Sequence, residues 1–145
     1  MTVSFIEIRR IAVGAAALIA AVVLPGPSSR AADEDAGAQV KPVFAQALPN
    51  VPGKSLTAVV VSYAPGGKSG KHHHAGSVFA YVLMGTIRSE NSATGPVRVY
   101  EAGESFFEPP GSEHLVSENA SETEPASLLA VSVADDGAQL TRFDE

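Results

Sequence analysis

The chain has 145 residues, a length that suits one domain, with Lys+Arg 10 against Asp+Glu 16, a formal charge of −6 and no cysteine. An acidic body repels the phosphates that dominate affinity for nucleic acids and anionic membranes, so no nucleic-acid partner is expected. Without cysteine there is neither disulfide nor thiolate chemistry, and any metal must be held by nitrogen and oxygen.

The first stretch, MTVSFIEIRRIAVGAAALIAAVVLPGPSSRAADEDAG, sets Arg9 and Arg10 before an apolar run from Ile11 to Leu24, then the helix breakers Pro25 and Pro27. This is the layout of a secretory signal peptide. Ser29 and Ala31 place small residues three before and immediately before a cut, so residues 1–31 are expected to be removed, leaving a chain that starts near Ala32. The fourteen apolar residues fall short of the roughly 20 that span hydrocarbon, so no stable membrane anchor is expected. The protein is thus expected to be exported, to a periplasm or the medium. Arg9-Arg10 reads as an ordinary basic region and only faintly as a twin-arginine signal, because Ile8 stands where Ser or Thr is usual. Loss of residues 1–31 takes Glu7, Arg9, Arg10 and Arg30 with it and moves the formal charge to −8.

Residues 32–39 form a short acidic tether with nothing to bury, and the domain is expected to occupy residues 40–134. There the pattern is of short apolar, β-branched runs, VFAQAL, SLTAVVVSYA, SVFAYVLMGTIRSE, PVRVYEA, ESFFEP, HLVSEN and ASLLAVSVA. Turn residues punctuate them in PNVPGK, PGGKSGK, NSATGP and PPGSE. No segment carries a sustained helical stripe, so the domain reads as all-β, a sandwich or a barrel. Residues 135–145 are an acidic tail that either packs one edge or frays. Asn119-Ala120-Ser121 matches an N-glycosylation acceptor, a three-residue pattern that arises often by chance.

Three of the four histidines are adjacent, His72 to His74. If that segment is extended, His72 and His74 share one face about 7 Å apart and His73 takes the other. Two imidazoles on one face can share an ion, although three adjacent histidines alone more often mark a solvated loop. The fourth, His114, opens a strand after the Pro109-Pro110-Gly111 turn, and its distance along the chain suits strands that become neighbours when a small barrel closes.

The spacing of these residues resembles a known pair of motifs. Gly66, five residues, His72, one residue and His74, with Gly85 eleven on, is followed by Gly103, five residues, Pro109, one residue, Gly111, two residues and His114. This resembles the two motifs of the cupin superfamily, separated here by Thr86 to Ala102. The resemblance implies a double-stranded β-helix, or small jelly-roll barrel, with one divalent metal ion per chain held at its mouth by His72, His74 and His114. Two positions depart from the pattern. Val78 stands where a glutamate ligand is usual, and Glu118 where an asparagine is usual, with Asn119 one place late. Three neutral imidazoles would leave the ion with a net charge of about +2, favouring anionic chelating substrates or bound hydroxide. Some cupins that use three histidines, including those that cleave diketones oxidatively, carry a glutamate just before the second motif's turn. Glu108 sits in the similar place and is the candidate catalytic residue, orienting a histidine or a bound water.

Tyr81, Phe106 and Phe107 are candidates either to line the pocket or simply to fill a small barrel. Lys68 and Lys71 flank the histidine loop, where they either attract an anion or form a solvated face. Three functional readings stay open. The first is a metal-dependent oxidoreductase or dioxygenase acting on a small, oxygen-bearing substrate, with Fe, Mn, Ni or Zn as the ion. The second is a non-catalytic metal or ligand-binding module, and the third a metal-free isomerase or epimerase with a histidine base. A homodimer is expected, because a barrel of this size gains buried area by pairing.

Overall fold

Gly and Pro turns delimit the apolar runs, and each run becomes a strand. The computed structural model describes residues 37–144; the expected signal segment and most of the tether lie outside the described residues. The eleven strands described are β1 (Ala38–Ala47), β2 (Lys54–Tyr63), β3 (Lys68–Ser69), β4 (His72–His74), β5 (Ser77–Met84), β6 (Thr86–Asn91), β7 (Gly95–Glu101), β8 (Ser105–Glu108), β9 (Glu113–Asn119), β10 (Ala126–Asp135) and β11 (Thr141–Phe143). The barrel therefore begins two residues before Val40. Its far boundary moves more, because part of the acidic tail is a strand of the fold.

The strands form two antiparallel sheets, one ordered β1-β2-β10-β5-β8 and one ordered β11-β4-β9-β6-β7, with β3 added beside β9. This is the all-β jelly-roll arrangement. Strand β5 shows how the faces are chosen. Every residue of VFAYVL is apolar, so alternation alone does not say which set turns inward. The smaller set does: Val78, Ala80 and Val82 are buried, while Phe79, at 46% exposure, Tyr81 and Leu83 face outward. A barrel interior of this size has no room for two layers of aromatic rings.

The packed core closes one end of the barrel. Tyr63, Ala80, Val82, Ile87, Ala126 and Leu128 cluster there, and fully burying a side chain such as Ile87 contributes about 1.5–3 kcal/mol. The Tyr63 hydroxyl meets Ser117 Oγ at 2.8 Å and Ser69 Oγ at 3.1 Å, joining the two sheets. Next to this core the interior stays open as a cavity of about 190 Å³, whose wall includes Tyr63, Ala80 and Leu128 of that cluster.

Gly85 makes the sharp turn from β5 into β6 with φ +71°, and a Cβ built there would lie 2.5 Å from the Pro125 carbonyl oxygen. The left-handed conformation alone costs an L-residue roughly 1–2 kcal/mol. Gly85→Ala is therefore expected to destabilise the fold by about 2 kcal/mol or more, read as a lowered urea midpoint at unchanged slope.

A one-residue irregularity in β9 matters for the site. Ser117 pairs with Ser89 and Val116 with Glu90, but Asn91 then pairs with His114, which leaves Leu115 as the extra residue of a bulge. Asn119 and Ser117 face inward by alternation, and the bulge makes His114, not Leu115, the next inward side chain. The extra residue also accounts for the asparagine that comes one place late. Asn119 is buried, its amide donating to the carbonyls of Ala64 and Glu124, so it is a structural clamp and no glycan acceptor. Glu118 points away and pairs with Arg88.

Candidate metal centre

The paired strands β4 and β9 bring the two histidine motifs together, with His72 directly opposite His114. The turn of the second motif is tied to the first by its backbone: Gly111 N–H donates to the His74 carbonyl at 2.8 Å. His72, His74 and His114 each offer a ring nitrogen, and those atoms lie within 4.8 Å of one another. His73 points away and meets Asp144 Oδ1 at 3.0 Å, as the alternation of a strand requires.

Hydrogen bonds fix which nitrogens are free. His72 Nδ1 donates to the Gly70 carbonyl at 2.7 Å, since a carbonyl only accepts. His74 Nδ1 lies 3.3 Å from both the Leu140 carbonyl and Thr141 Oγ1. In both rings Nε2 is left as a lone pair. His114 is reversed: its Nε2 meets Ser89 Oγ at 2.9 Å, and its buried Nδ1 makes no hydrogen bond. Two free Nε2 atoms and one orphaned Nδ1 around a shared space are the donor set of a divalent ion, and bonds of about 2.0–2.1 Å would draw the rings closer together on binding.

Glu108 enters the same space. Its Oε2 lies 3.0 Å from His114 Nδ1 and 3.9 Å from His74 Nε2, and the residue is only 2% exposed. Burial pushes its carboxyl up, but the close approach of His114, with smaller contributions from His74 and His72, more than offsets this and holds it below the ordinary carboxylate value. Burial acts on the histidines in the same sense as a metal site requires. It lowers His72 to about 4 and lowers His74, so both rings are neutral near pH 7 and available as donors.

The cavity above these groups is walled by Val59, Val61, Leu128 and Phe106, and neither lysine of the histidine loop reaches it. Of the three candidate aromatics only Phe106 lines it; Tyr81 and Phe107 lie on the outer surface. Strand β11 supplies the part that sequence reasoning missed. Thr141 to Phe143 pair with His74 to His72, the Phe143 ring sits 5.4 Å from that of His72, and the Leu140 carbonyl sets the His74 tautomer.

Residues 59–132 match the cupin domain family, Cupin_2, which is half of the chain, and the protein belongs to that family. No curated protein matches it by sequence. Among solved structures it is similar to a cupin 2 conserved barrel domain protein from Rhodopseudomonas palustris (17% identity, 81% of this chain and 74% of that one, TM-score 0.60). It is also similar to an oxalate oxidase in complex with glycolate (23% identity, 74% and 55%, TM-score 0.57) and to the DMSP lyase DddQ from Ruegeria pomeroyi (22% identity, 61% and 42%, TM-score 0.52). The chain spans less than half the length of the lyases it matches. At these identities the likeness defines the barrel and not the reaction.

Proposed function

We propose that this protein is an exported, metal-dependent oxidoreductase of dioxygenase type that acts on a small chelating acid or diketone. One observation carries the reading: three imidazoles and a buried carboxylate converge on one point beneath an apolar cavity of about 190 Å³. His72, His74 and His114 would hold one Fe, Mn, Ni or Zn ion per chain. Such an ion supplies positive charge for the oxygens of a chelating substrate and, when redox-active, a path for electrons to O₂.

The chain's own residues do the rest. Val59, Val61, Leu128 and Phe106 exclude water and limit the substrate to a few heavy atoms. Glu108, ionised and buried, is the group placed to take a substrate proton and return it. A cavity without lysine or arginine in its wall leaves the ion as the anchor for an anionic group. One of the similar barrels holds glycolate, an acid of the size this cavity admits.

Elemental analysis of untagged protein spanning residues 32–145 tests the reading. About one transition-metal ion per chain is expected, with oxygen uptake on at least one of glycolate, oxalate and a β-diketone. A folded protein that takes up no metal when offered Fe, Mn, Ni and Zn overturns it. Metal without turnover on a wide panel of chelating acids leaves a binding module in its place.

The homodimer reading is supported by the outer face of the five-stranded sheet, where Phe44, Phe79 and Phe107 are each about half exposed. Such a contiguous apolar face on a small domain is suited to a second copy. Light scattering at micromolar concentration is expected to give twice the chain mass, and Phe79→Lys to return the monomer.

A further inference from the structure

The family pattern places a carboxylate ligand at the position of Val78, and Val78 offers no donor. It is buried, lines the cavity and lies on β5 directly across from Glu108 on β8. Opposed residues of an antiparallel pair send their side chains to the same face with Cβ atoms about 4.5–5.5 Å apart. The longer glutamate arm thus reaches the space that Val78 faces. We propose that Glu108 is the fourth protein ligand of the metal, the carboxylate arm having moved one strand over. This rests on the metal-centre reading above and goes beyond it, adding coordination to the proton-transfer role given to Glu108 there.

The distances suit coordination, and the alignment of the carboxylate argues against a purely orienting role. Two atoms that share an ion at about 2.0–2.2 Å, at angles between 90° and 110°, stand roughly 2.8–3.6 Å apart. Glu108 Oε2 is 3.0 Å from His114 Nδ1, inside that range, and 3.9 Å from His74 Nε2, a few tenths beyond it. A carboxylate that only oriented His114 would lie in line with a ring N–H and accept its hydrogen bond. Glu108 Oε2 lies 3.0 Å from His114 Nδ1 but outside the line of a ring N–H, and the other ring nitrogen is already taken by Ser89.

The carboxylate is itself positioned. Asn91 Nδ2 lies 3.3 Å from the same Glu108 oxygen and 2.9 Å from Ser112 Oγ, while Asn91 Oδ1 accepts the Ala93 N–H at 3.0 Å. Asn91 is thus a buried amide held at three points with one donor on the carboxylate. Its place is that of a residue that fixes a ligand. A site of three imidazoles and one carboxylate has net charge about +1, so hard ions such as Mn²⁺ and Fe²⁺ gain relative to Zn²⁺.

The test compares the parent with Glu108→Gln, Glu108→Val and the double variant Val78→Glu/Glu108→Val, which returns the carboxylate to β5. Mn²⁺ affinity is measured by calorimetry and the ligand field by Co²⁺ absorption. Both single variants are expected to lose Mn²⁺ affinity by at least 10–100-fold with changed Co²⁺ bands, and the double variant to recover most of the affinity. Parent-like Mn²⁺ affinity and unchanged Co²⁺ bands in Glu108→Gln overturn the proposal and leave the three-histidine centre standing. Failure of the parent itself to bind any ion is the separate outcome that removes the metal-centre reading. Glu108→Gln keeps the shape and the Asn91 contact, so the test does not depend on whether Glu108→Val folds.

Discussion

Replacing His114 with alanine is expected to bring metal content from about one ion per chain to near zero. The side chain supplies the orphaned Nδ1 that faces both Glu108 and the free nitrogen of His74. Losing a group that merely supports a ligand costs 10–100-fold in affinity, so losing the ligand itself is expected to cost more than about 100-fold. The fold also weakens, because Ser89 Oγ loses its partner and the buried Glu108 carboxylate faces a void. About 2 kcal/mol or more is expected for those unsatisfied groups. His73→Ala is the matched control, since His73 faces Asp144 on the outer side and is expected to leave metal content unchanged. Parent-like metal affinity in His114→Ala would remove His114 from the ligand set.

The second large effect is acid lability of the metal-free protein. His72 is lowered from 6.5 to about 4 chiefly by burial, so between those values the unfolded chain takes up a proton that the folded chain refuses. Stability is therefore full above about pH 7, falls as the pH drops from 6.5 toward 4, and levels off for this group below that. At 1.36 kcal/mol per unit the full loss from His72 is of order 3 kcal/mol. His74 is lowered too and adds to the same slope. Glu108, held below the ordinary carboxylate value, adds a further loss when the pH falls through its own titration. Urea unfolding of chelator-treated protein at pH 7.5, 6, 5 and 4.5 checks this. His72→Ala is expected to flatten the slope between pH 6.5 and 4, and a parent whose stability is flat across that window contradicts the burial assigned to the ring.

The barrel and the three imidazoles were legible in the sequence because their signals are local. Strand runs end at Gly and Pro, and the His72–His74 pair sits at the spacing of one strand face. The parts that were not legible depend on register between strands. Nothing in HLVSEN announces that Leu115 bulges and turns His114 inward. Glu108 was singled out by its place before the turn, but its position across from Val78 appears only when β5 and β8 pair. The run VFAYVL is apolar on both faces and ESFFEP carries adjacent aromatics, so alternation alone does not say which of Tyr81, Phe106 and Phe107 reaches the pocket. The contribution of Leu140 is a backbone carbonyl, which has no residue signature at all.

That carbonyl adds a side-chain link to the backbone pairing between β11 and the histidine strand. The tautomer of His74 that presents Nε2 is held by the residue that leads into an edge strand of three residues. If an ion binds only the arrangement with β11 in place, then by linkage it must hold β11 in place by the same free energy. Occupancy of the centre is thereby written into the opening equilibrium of the sheet edge, where the amides of residues 141–143 would exchange with solvent quickly without metal and slowly with it.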